Sequence, residues 1–128
     1  MRQAVALLMM AALLVGIFAA TASATPTDSK IMIGAKAQFV SSTTLQVSVT
    51  YVCPATGLME FIGMSVTQAD TGAVGSGFLS VACTDERETV VVTVTGVGFQ
   101  LGQALASGFI GGANFFGDQH LRSIQIVL

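Results

Sequence analysis

Alternation of apolar and polar side chains is the feature of this sequence that most restricts its fold. Between residues 45 and 53, leucine, valine, tyrosine and cysteine occupy every odd position, whereas glutamine, serine and threonine occupy positions 46, 48 and 50. Successive side chains of a β-strand point to opposite faces, so this pattern predicts a strand with one buried and one exposed face. Residues 89–95 alternate threonine and valine in the same way, with Val91 as the one apolar residue on the outer face. We therefore expect a chain built from strands.

Five further segments complete a pattern of seven strands. The period of two recurs in residues 31–39, 62–67, 79–83 and 124–128. Residues 103–112 are apolar without regular alternation, which is compatible with a strand buried on both faces or with a bulged strand. Clusters of glycine, proline, aspartate and serine separate the segments and are typical of turns. Seven short strands at this spacing predict an all-β fold, a seven-stranded immunoglobulin-like sandwich.

Residues 1–24 have the composition of a secretion signal. Arg2 precedes seventeen consecutive apolar residues from Ala4 to Ala20, and a small-residue cleavage site of the form Ala-Ser-Ala ends at Ala24. We expect an N-terminal signal-peptide helix that is cleaved after Ala24, which leaves a secreted, extracellular domain of residues 25–128. The apolar run approaches the length that spans a bilayer, so a retained signal anchor on the cell surface is the alternative.

The charge of the mature domain argues against nucleic acid as a partner. The sequence contains five basic and seven acidic residues, and loss of Arg2 leaves a formal net charge of about −3. The remaining basic residues are scattered singly, whereas a phosphate backbone requires a basic cluster. They are Lys30, Lys36, Arg87 and Arg122. After cleavage of the leader, no membrane attachment is predicted.

Cys53 and Cys83 are the two cysteines of the chain and are predicted to form a disulfide. An even pair in an exported protein is typical of a structural disulfide, whereas a metal site or a catalytic cysteine needs further partners. The single histidine, His120, is distant from both in sequence. Both cysteines share the parity of the apolar residues in their strands, so we expect the bond in the core, linking two packed sheets.

Several of these segments also resemble a known family. The motifs are LQVSVTYVCP at 45–54, MSVTQ at 64–68, GSGFLSVAC at 75–83, TVVVTVTG at 89–96 and FQLGQALA at 99–106. In this order they resemble small exported immunoglobulin-like proteins of actinobacteria, an uncharacterised family. The resemblance covers most of the mature chain and implies a secreted β-sandwich without an assigned activity. The chain has no tryptophan and so departs from antibody domains, in which a tryptophan packs against the disulfide.

No arrangement of residues predicts an enzyme, and no cofactor is predicted. Residues 75–77 lack the glycine spacing of a nucleophile elbow. Residues 96–98 match the start of a dinucleotide-binding motif, but the residues that follow do not continue it, so a flexible hairpin is expected there. Asp118 and His120 could be two metal ligands on one loop, but zinc needs three or four, so no metal site is predicted. The acidic residues are expected to be solvated charges in turns. They are Glu60, Asp70, Asp85, Glu86, Glu88 and Asp118.

Phe115 and Phe116 are the candidate partner-binding residues. They lie in the segment ANFFGDQ, expected as a loop, where adjacent side chains point to opposite sides and at most one ring can easily enter the core. The other ring is expected to be exposed and available for a partner, because a large rigid ring buries much area at little entropy cost. The alternative is that one ring plugs the end of the sandwich while the other covers its rim. Met59 and Phe61 have the parity opposite to Ile62, so their side chains are expected on the other face of the strand, where they could form a second apolar patch.

These features predict a secreted, non-catalytic binding or interaction module. Its expected partner is an unknown extracellular protein or a component of the cell envelope, bound through apolar residues of a loop or a sheet face. The alternative is a small-molecule carrier like the enediyne-binding apoproteins, which are also small exported sandwiches. A carrier requires a concave apolar pocket, whereas an interaction module requires an exposed apolar patch.

Overall fold

The computed structural model describes residues 29–55, 59–112 and 115–128. These residues form seven β-strands, so the prediction of an all-β chain with seven strands is confirmed. The strands are β1 (Lys30–Ser41), β2 (Thr44–Val52), β3 (Met59–Gln68), β4 (Ala73–Ala82), β5 (Glu88–Val97), β6 (Gly102–Gly112) and β7 (Phe115–Val127). The predicted signal-peptide helix and its cleavage after Ala24 lie outside the described residues. Within the described ranges, no helix is long and apolar enough to cross a bilayer.

The seven strands close into a barrel, so the prediction of an immunoglobulin-like sandwich is wrong. The order around the barrel is β1, β2, β5, β4, β3, β6, β7, and β7 returns to β1 through a parallel ladder. Two separate sheets would end in strands that are unpaired on one side. Here β4 pairs with both β3 and β5, and β1 pairs with both β2 and β7. These pairings join the two sheets that a sandwich keeps apart.

The ladders that close the barrel differ greatly in length. β3 and β4 pair along their whole length. In contrast, β4 pairs with β5 only through its residues 74–76, and β1 pairs with β7 only through its residues 36–38. Beyond these short ladders, side chains and a disulfide connect the strands.

Inward side chains fill the interior at the positions that the alternation predicted. Leu45, Val47 and Val49 of β2 are fully buried, and so are Val92 and Val94 of the adjacent β5. The other strands contribute Ile31, Ile33, Ala37, Ile62, Val66, Ala104, Ala106, Ile110, Ile124 and Ile126. As in other small barrels, the interior is therefore a packed core of side chains.

In β6 the structure decides between the two alternatives that the sequence left open. Ala104, Ala106 and Ile110 are buried, whereas Leu105 is half exposed, so the strand alternates between interior and surface. Its pairing with β7 shifts between Ile110 and Gly111. The segment is therefore a bulged strand with one buried face.

Phe99 anchors the connection between β5 and β6, which the sequence predicts as a flexible hairpin. Its ring is fully buried, and its backbone N–H donates a hydrogen bond of 2.9 Å to the Ser42 carbonyl oxygen. A Cβ atom on Gly75 or Gly96 would lie 2.6 Å or 2.9 Å from a carbon of this ring. Glycine at both positions leaves the space that the ring fills. The connection is therefore fixed to the barrel.

Gln68 holds the same connection from the end of β3. Its buried side chain accepts a hydrogen bond of 3.0 Å from the Gln100 backbone N–H and donates one of 2.9 Å to the Gln100 carbonyl oxygen. Gln68→Leu removes both bonds, so we expect the free energy of unfolding to fall by about 1–3 kcal/mol, measured by urea denaturation. Gln46→Leu, at an exposed position of β2, is the control and is expected to stay within about 0.5 kcal/mol of the original protein. Equal stabilities of the two variants would contradict this role of Gln68.

Cys53 and Cys83 form a disulfide at the ends of β2 and β4, as predicted. β5 lies between these two strands, so the bond joins non-adjacent strands of a barrel instead of two packed sheets. At this end β4 has no ladder with β5, because their pairing is confined to the far end of β4. The Tyr51 hydroxyl donates a hydrogen bond of 3.1 Å to the Ala82 carbonyl oxygen, again between β2 and β4. The disulfide therefore closes the barrel where the ladder does not.

Candidate functional site

One outer surface of the barrel carries no charged side chain at its described strand positions. It consists of the outward side chains of four consecutive strands, β4, β3, β6 and β7, and we call it the uncharged face. Its members are Val74, Ser76, Phe78, Ser80 and Ala82 on β4, Met59, Phe61, Ser65 and Thr67 on β3, Gln103, Leu105, Ser107 and Phe109 on β6, and Gln119, Leu121, Ser123 and Gln125 on β7. By contrast, Lys30 and Lys36 are exposed on β1, outside this face.

Two phenylalanines meet at the centre of the uncharged face. Phe78 and Phe109 lie on the strands to either side of β3, and both are in register with Gly63. Their rings pack edge to face with centroids 6.1 Å apart. A Cβ atom on Gly63 would lie 2.2 Å from a carbon of the Phe109 ring, so only glycine leaves room for this ring above β3. The pair is therefore held in place by the sheet beneath it.

Two shallow clefts lie on this side of the barrel, one on the uncharged face and one that extends from the face to Asp70 in the connection between β3 and β4. The first has a volume of about 140 Å³ and lies beside the aromatic pair, between Phe78, Phe109, Ser65 and Ser107. The second, of about 270 Å³, lies further along the same strands. It is lined by Thr67, Ala69, Asp70, Gln103, Ala104, Leu105 and Ser123.

Met59 and Phe61 belong to the uncharged face, so the second group of exposed apolar side chains that their parity indicates is present. Their side chains are 55% and 40% exposed, on the side of β3 opposite to the buried Ile62. Phe78 was not singled out from the sequence, although it is 72% exposed. The signal that could have found it is the complete lack of charge at the outward positions of four strands. That signal becomes visible only when the strand order is known.

Phe115 and Phe116 lie in β7 and not in a loop. Their backbones pair with Gly112 and Gly111 of β6, respectively. Through Gly111, the register places Phe116 in the same row as Phe61 of β3. The side chains of both phenylalanines lie outside what the structure describes, so their role in partner binding stays a prediction.

Asp118 and His120 also lie in β7, where their side chains bind the backbone of β1. The Ile31 backbone N–H donates a hydrogen bond of 2.9 Å to Asp118 Oδ2, and the Ile33 backbone N–H donates one of 2.9 Å to His120 Nδ1. Arg122 donates in turn to the Ile33 carbonyl oxygen, at 2.9 Å. These side chains satisfy backbone groups of β1 upstream of its short ladder with β7. The three side chains therefore join β7 to β1 where the two strands have no ladder, and we call this contact the seam between β1 and β7.

Glu60 is buried, so the expectation that it is a solvated turn charge is wrong. It shares the inward parity of Ile62 on β3 and is only 2% exposed. One carboxylate oxygen lies within 4.8 Å of the sulfur atoms of both Cys53 and Cys83. Ser29 Oγ donates a hydrogen bond of 3.3 Å to the Glu60 carboxylate. The same expectation is wrong for Asp118, which is half-buried in β7 and accepts a hydrogen bond from the backbone of β1. The other acidic residues are exposed as expected, although Glu88 begins β5: they are Asp70, Asp85, Glu86 and Glu88.

Tyr51 is a titratable residue close to the same end of the barrel. Burial raises the pKa of Tyr51 above its usual value of 10.0, and the negative charge of Glu88 raises it further. Because the Tyr51 hydroxyl donates to the Ala82 carbonyl oxygen, the protonated form is the one that fits the fold. The Tyr51 hydroxyl is therefore a hydrogen-bond donor that links β2 to β4.

No family model matches the chain, and the search of curated proteins found no match. The resemblance to exported actinobacterial proteins therefore stays a prediction, and its expected sandwich is replaced by the barrel.

Proposed function

We propose that this protein is a secreted, non-catalytic binding module that docks another exported or cell-surface protein on its uncharged face. The observation that carries the proposal is the Phe78 side chain, which is 72% exposed beside Phe109 on a surface of four strands without an outward charge. Exposed apolar side chains that lie close together are typical of interaction sites, because an exposed aromatic ring gains free energy when a partner covers it.

The composition of the uncharged face favours a protein as the partner. The cores of protein interfaces are enriched in aromatic residues and methionine and depleted of charge. Phe78, Phe109, Phe61 and Met59 supply such a core, and the surrounding serine, threonine and glutamine side chains can form hydrogen bonds at its rim. Because the edge-to-face contact already orders the Phe78 ring, little conformational entropy is lost on binding.

Secretion is supported by the disulfide and by the sequence of the leader. Disulfides persist in oxidising, non-cytoplasmic compartments and are rare where thiols are kept reduced. The apolar segment before Ala24 has the pattern of a signal peptide. A partner of the mature domain is therefore sought outside the cell or on its surface.

A small-molecule carrier is less well supported than a docking module. Binding pockets for drug-sized ligands usually have volumes of about 300–1,000 Å³ and enclose most of the ligand. The clefts on and beside the uncharged face measure about 140 and 270 Å³ and are open to solvent. The barrel interior, where a carrier would hold its cargo, is occupied by buried side chains such as Phe99 and Leu45.

The polar residues of the barrel favour a non-catalytic role. Asp118 Oδ2 and His120 Nδ1 each accept a hydrogen bond from the backbone of β1, and Arg122 donates one to the same strand. A catalytic base or acid needs an atom that can reach a substrate. Their arrangement along one strand is explained by the seam between β1 and β7.

Photocrosslinking in the cells that secrete the protein tests the proposal. A photoreactive amino acid replaces Ser65, an exposed residue at the centre of the uncharged face, in one variant. In the matched control it replaces Ser48, which is exposed on β2 on the opposite side of the barrel. We expect a discrete product of this chain and one other protein from position 65 only, and we expect Phe78→Ser in the same variant to abolish it.

Three results would overturn the proposal. They are equal yields of the same product from both positions, no product from position 65, and a product that contains only two copies of this chain. The last result would replace the proposed protein partner by self-association. Circular dichroism of each purified variant shows whether the barrel is intact, so that a failure to fold is not mistaken for a failure to bind.

A further inference from the structure

Three potential metal ligands meet at the end of the barrel that the disulfide closes. Cys53 follows β2, Glu60 lies near the start of β3, and Cys83 follows β4. One donor atom from each residue lies within 4.8 Å of the other two. Cys53 and Glu60 are buried and Cys83 is half-buried. This cluster is separate from the uncharged face, and the proposed function does not explain it.

Glu60 is a costly residue for this position. Burial of a carboxylate without compensating partners is strongly unfavourable. Within the described residues, Glu60 forms no ion pair, and its one hydrogen bond is the 3.3 Å contact from Ser29 Oγ. The neighbouring inward positions of β3 hold the apolar residues Ile62 and Met64, which fit a core without this cost. An acidic group directed at two sulfur atoms indicates a role beyond packing.

We infer that reduction of the disulfide converts this cluster into a site for one divalent cation of the zinc class. The Cys53 and Cys83 thiolates and the Glu60 carboxylate are the ligands, and water completes a tetrahedral set. Thiolate sulfur and carboxylate oxygen are both common ligands of Zn²⁺. The oxidised protein cannot form the site, because its sulfur atoms are bonded to each other. Metal binding is therefore controlled by redox state.

The reaction has a simple balance. A dithiol reductant supplies two electrons and two protons, the sulfur–sulfur bond breaks, two thiols form, and the reductant becomes a disulfide. The cation then displaces both thiol protons to solvent as two metal–sulfur bonds form.

The backbone geometry of the disulfide suits this change. The Cα atoms of Cys53 and Cys83 are 5.0 Å apart. A tetrahedral zinc ion with bonds of about 2.1 Å to oxygen and about 2.3 Å to sulfur places its ligand atoms roughly 3.5–3.8 Å apart. The Glu60 oxygen already lies within 4.8 Å of both sulfur atoms. Side-chain rotation that separates the sulfurs therefore suffices, without a change of strand pairing.

Titration with Co²⁺ and Zn²⁺ tests the inference. The purified mature protein is reduced by a metal-free phosphine under anaerobic conditions and titrated with Co²⁺, whose thiolate complexes absorb in the near ultraviolet. We expect one equivalent to bind the reduced protein with this absorption, displacement by Zn²⁺, and no binding to the oxidised protein. Glu60→Gln should weaken the affinity at least tenfold, whereas Glu86→Gln, at an exposed acidic residue, should leave it unchanged.

Two further measurements keep the test decisive if a variant or the reduced form is unstable. X-ray absorption of the zinc-loaded, reduced protein should show two sulfur and two oxygen ligands, and this needs no variant. Zn²⁺ should also raise the melting temperature of the reduced protein and leave that of the oxidised protein unchanged. Equal Zn²⁺ affinity of Glu60→Gln and the original protein, or the absence of stoichiometric binding after reduction, would overturn the inference.

Discussion

Replacement of Phe99 by alanine is expected to lower the free energy of unfolding by about 3–5 kcal/mol, the usual cost of removing a buried phenylalanine ring. The ring is 1% exposed and occupies the space above Gly75 and Gly96, where β4 and β5 form their short ladder. Its loss leaves a cavity at the point where this ladder closes the barrel. Collapse of the cavity is hindered because the backbone on both sides is already paired.

Urea denaturation followed by circular dichroism measures this loss. Leu101→Ala is the matched control, because Leu101 lies in the same connection but is half exposed. We expect the control to lose less than about 1 kcal/mol. A loss of the same size in both variants would mean that the connection has no buried anchor.

Removal of the disulfide by the double substitution Cys53→Ala and Cys83→Ala is expected to cost about 3–4 kcal/mol in the chain-entropy account. The two cysteines are 30 positions apart in the sequence, so the bond closes a loop of intermediate size in the unfolded chain. In the folded protein it joins β2 to β4 at the end where β4 has no ladder with β5. This loss is a large fraction of the stability of a small domain.

Denaturation of the original protein and of the double variant, each with and without a reductant, measures the contribution of the bond. The reductant should lower the stability of the original protein to about that of the variant and leave the variant unchanged. Metal chelator is present throughout, so that binding to free thiols does not contribute. An original protein whose stability is insensitive to complete reduction would contradict the account of barrel closure.

The buried face of each strand could be predicted from the sequence, but which strands lie next to each other could not. The odd positions of residues 45–53 are buried in the structure, because the period of two assigns a side chain to a face of its own strand. The same period says nothing about which strand lies alongside. Closure depends on only three residue pairs between β4 and β5 and three between β1 and β7. The local alternation of apolar and polar residues does not indicate these short ladders.

The candidate sites likewise include features that the sequence predicts and features that depend on the strand order. The disulfide between Cys53 and Cys83 could be predicted, since the predicted export of the chain and the parity of the two cysteines both indicate it. The base rate for acidic residues predicts an exposed Glu60 and is wrong here, although the parity that Glu60 shares with Ile62 indicates an inward side chain. Phe78 and Phe109 are 31 residues apart, and they meet only because β3 lies between β4 and β6. Contacts of this kind follow from strand order and not from spacing.

The affinity of the crosslinked partner for two variants tests the central claim, that the uncharged face is the binding surface. Phe78→Ser removes the exposed ring, and Val91→Ser removes a half-exposed apolar side chain from the outer face of β5, which is not one of the strands of the uncharged face. With the purified partner, calorimetry should show binding weakened at least about 30-fold by Phe78→Ser, as for an aromatic hot spot worth about 2 kcal/mol. Val91→Ser should leave the affinity within about twofold of the original protein, in line with a surface position outside the interface. Equal affinities of the two variants would contradict the claim.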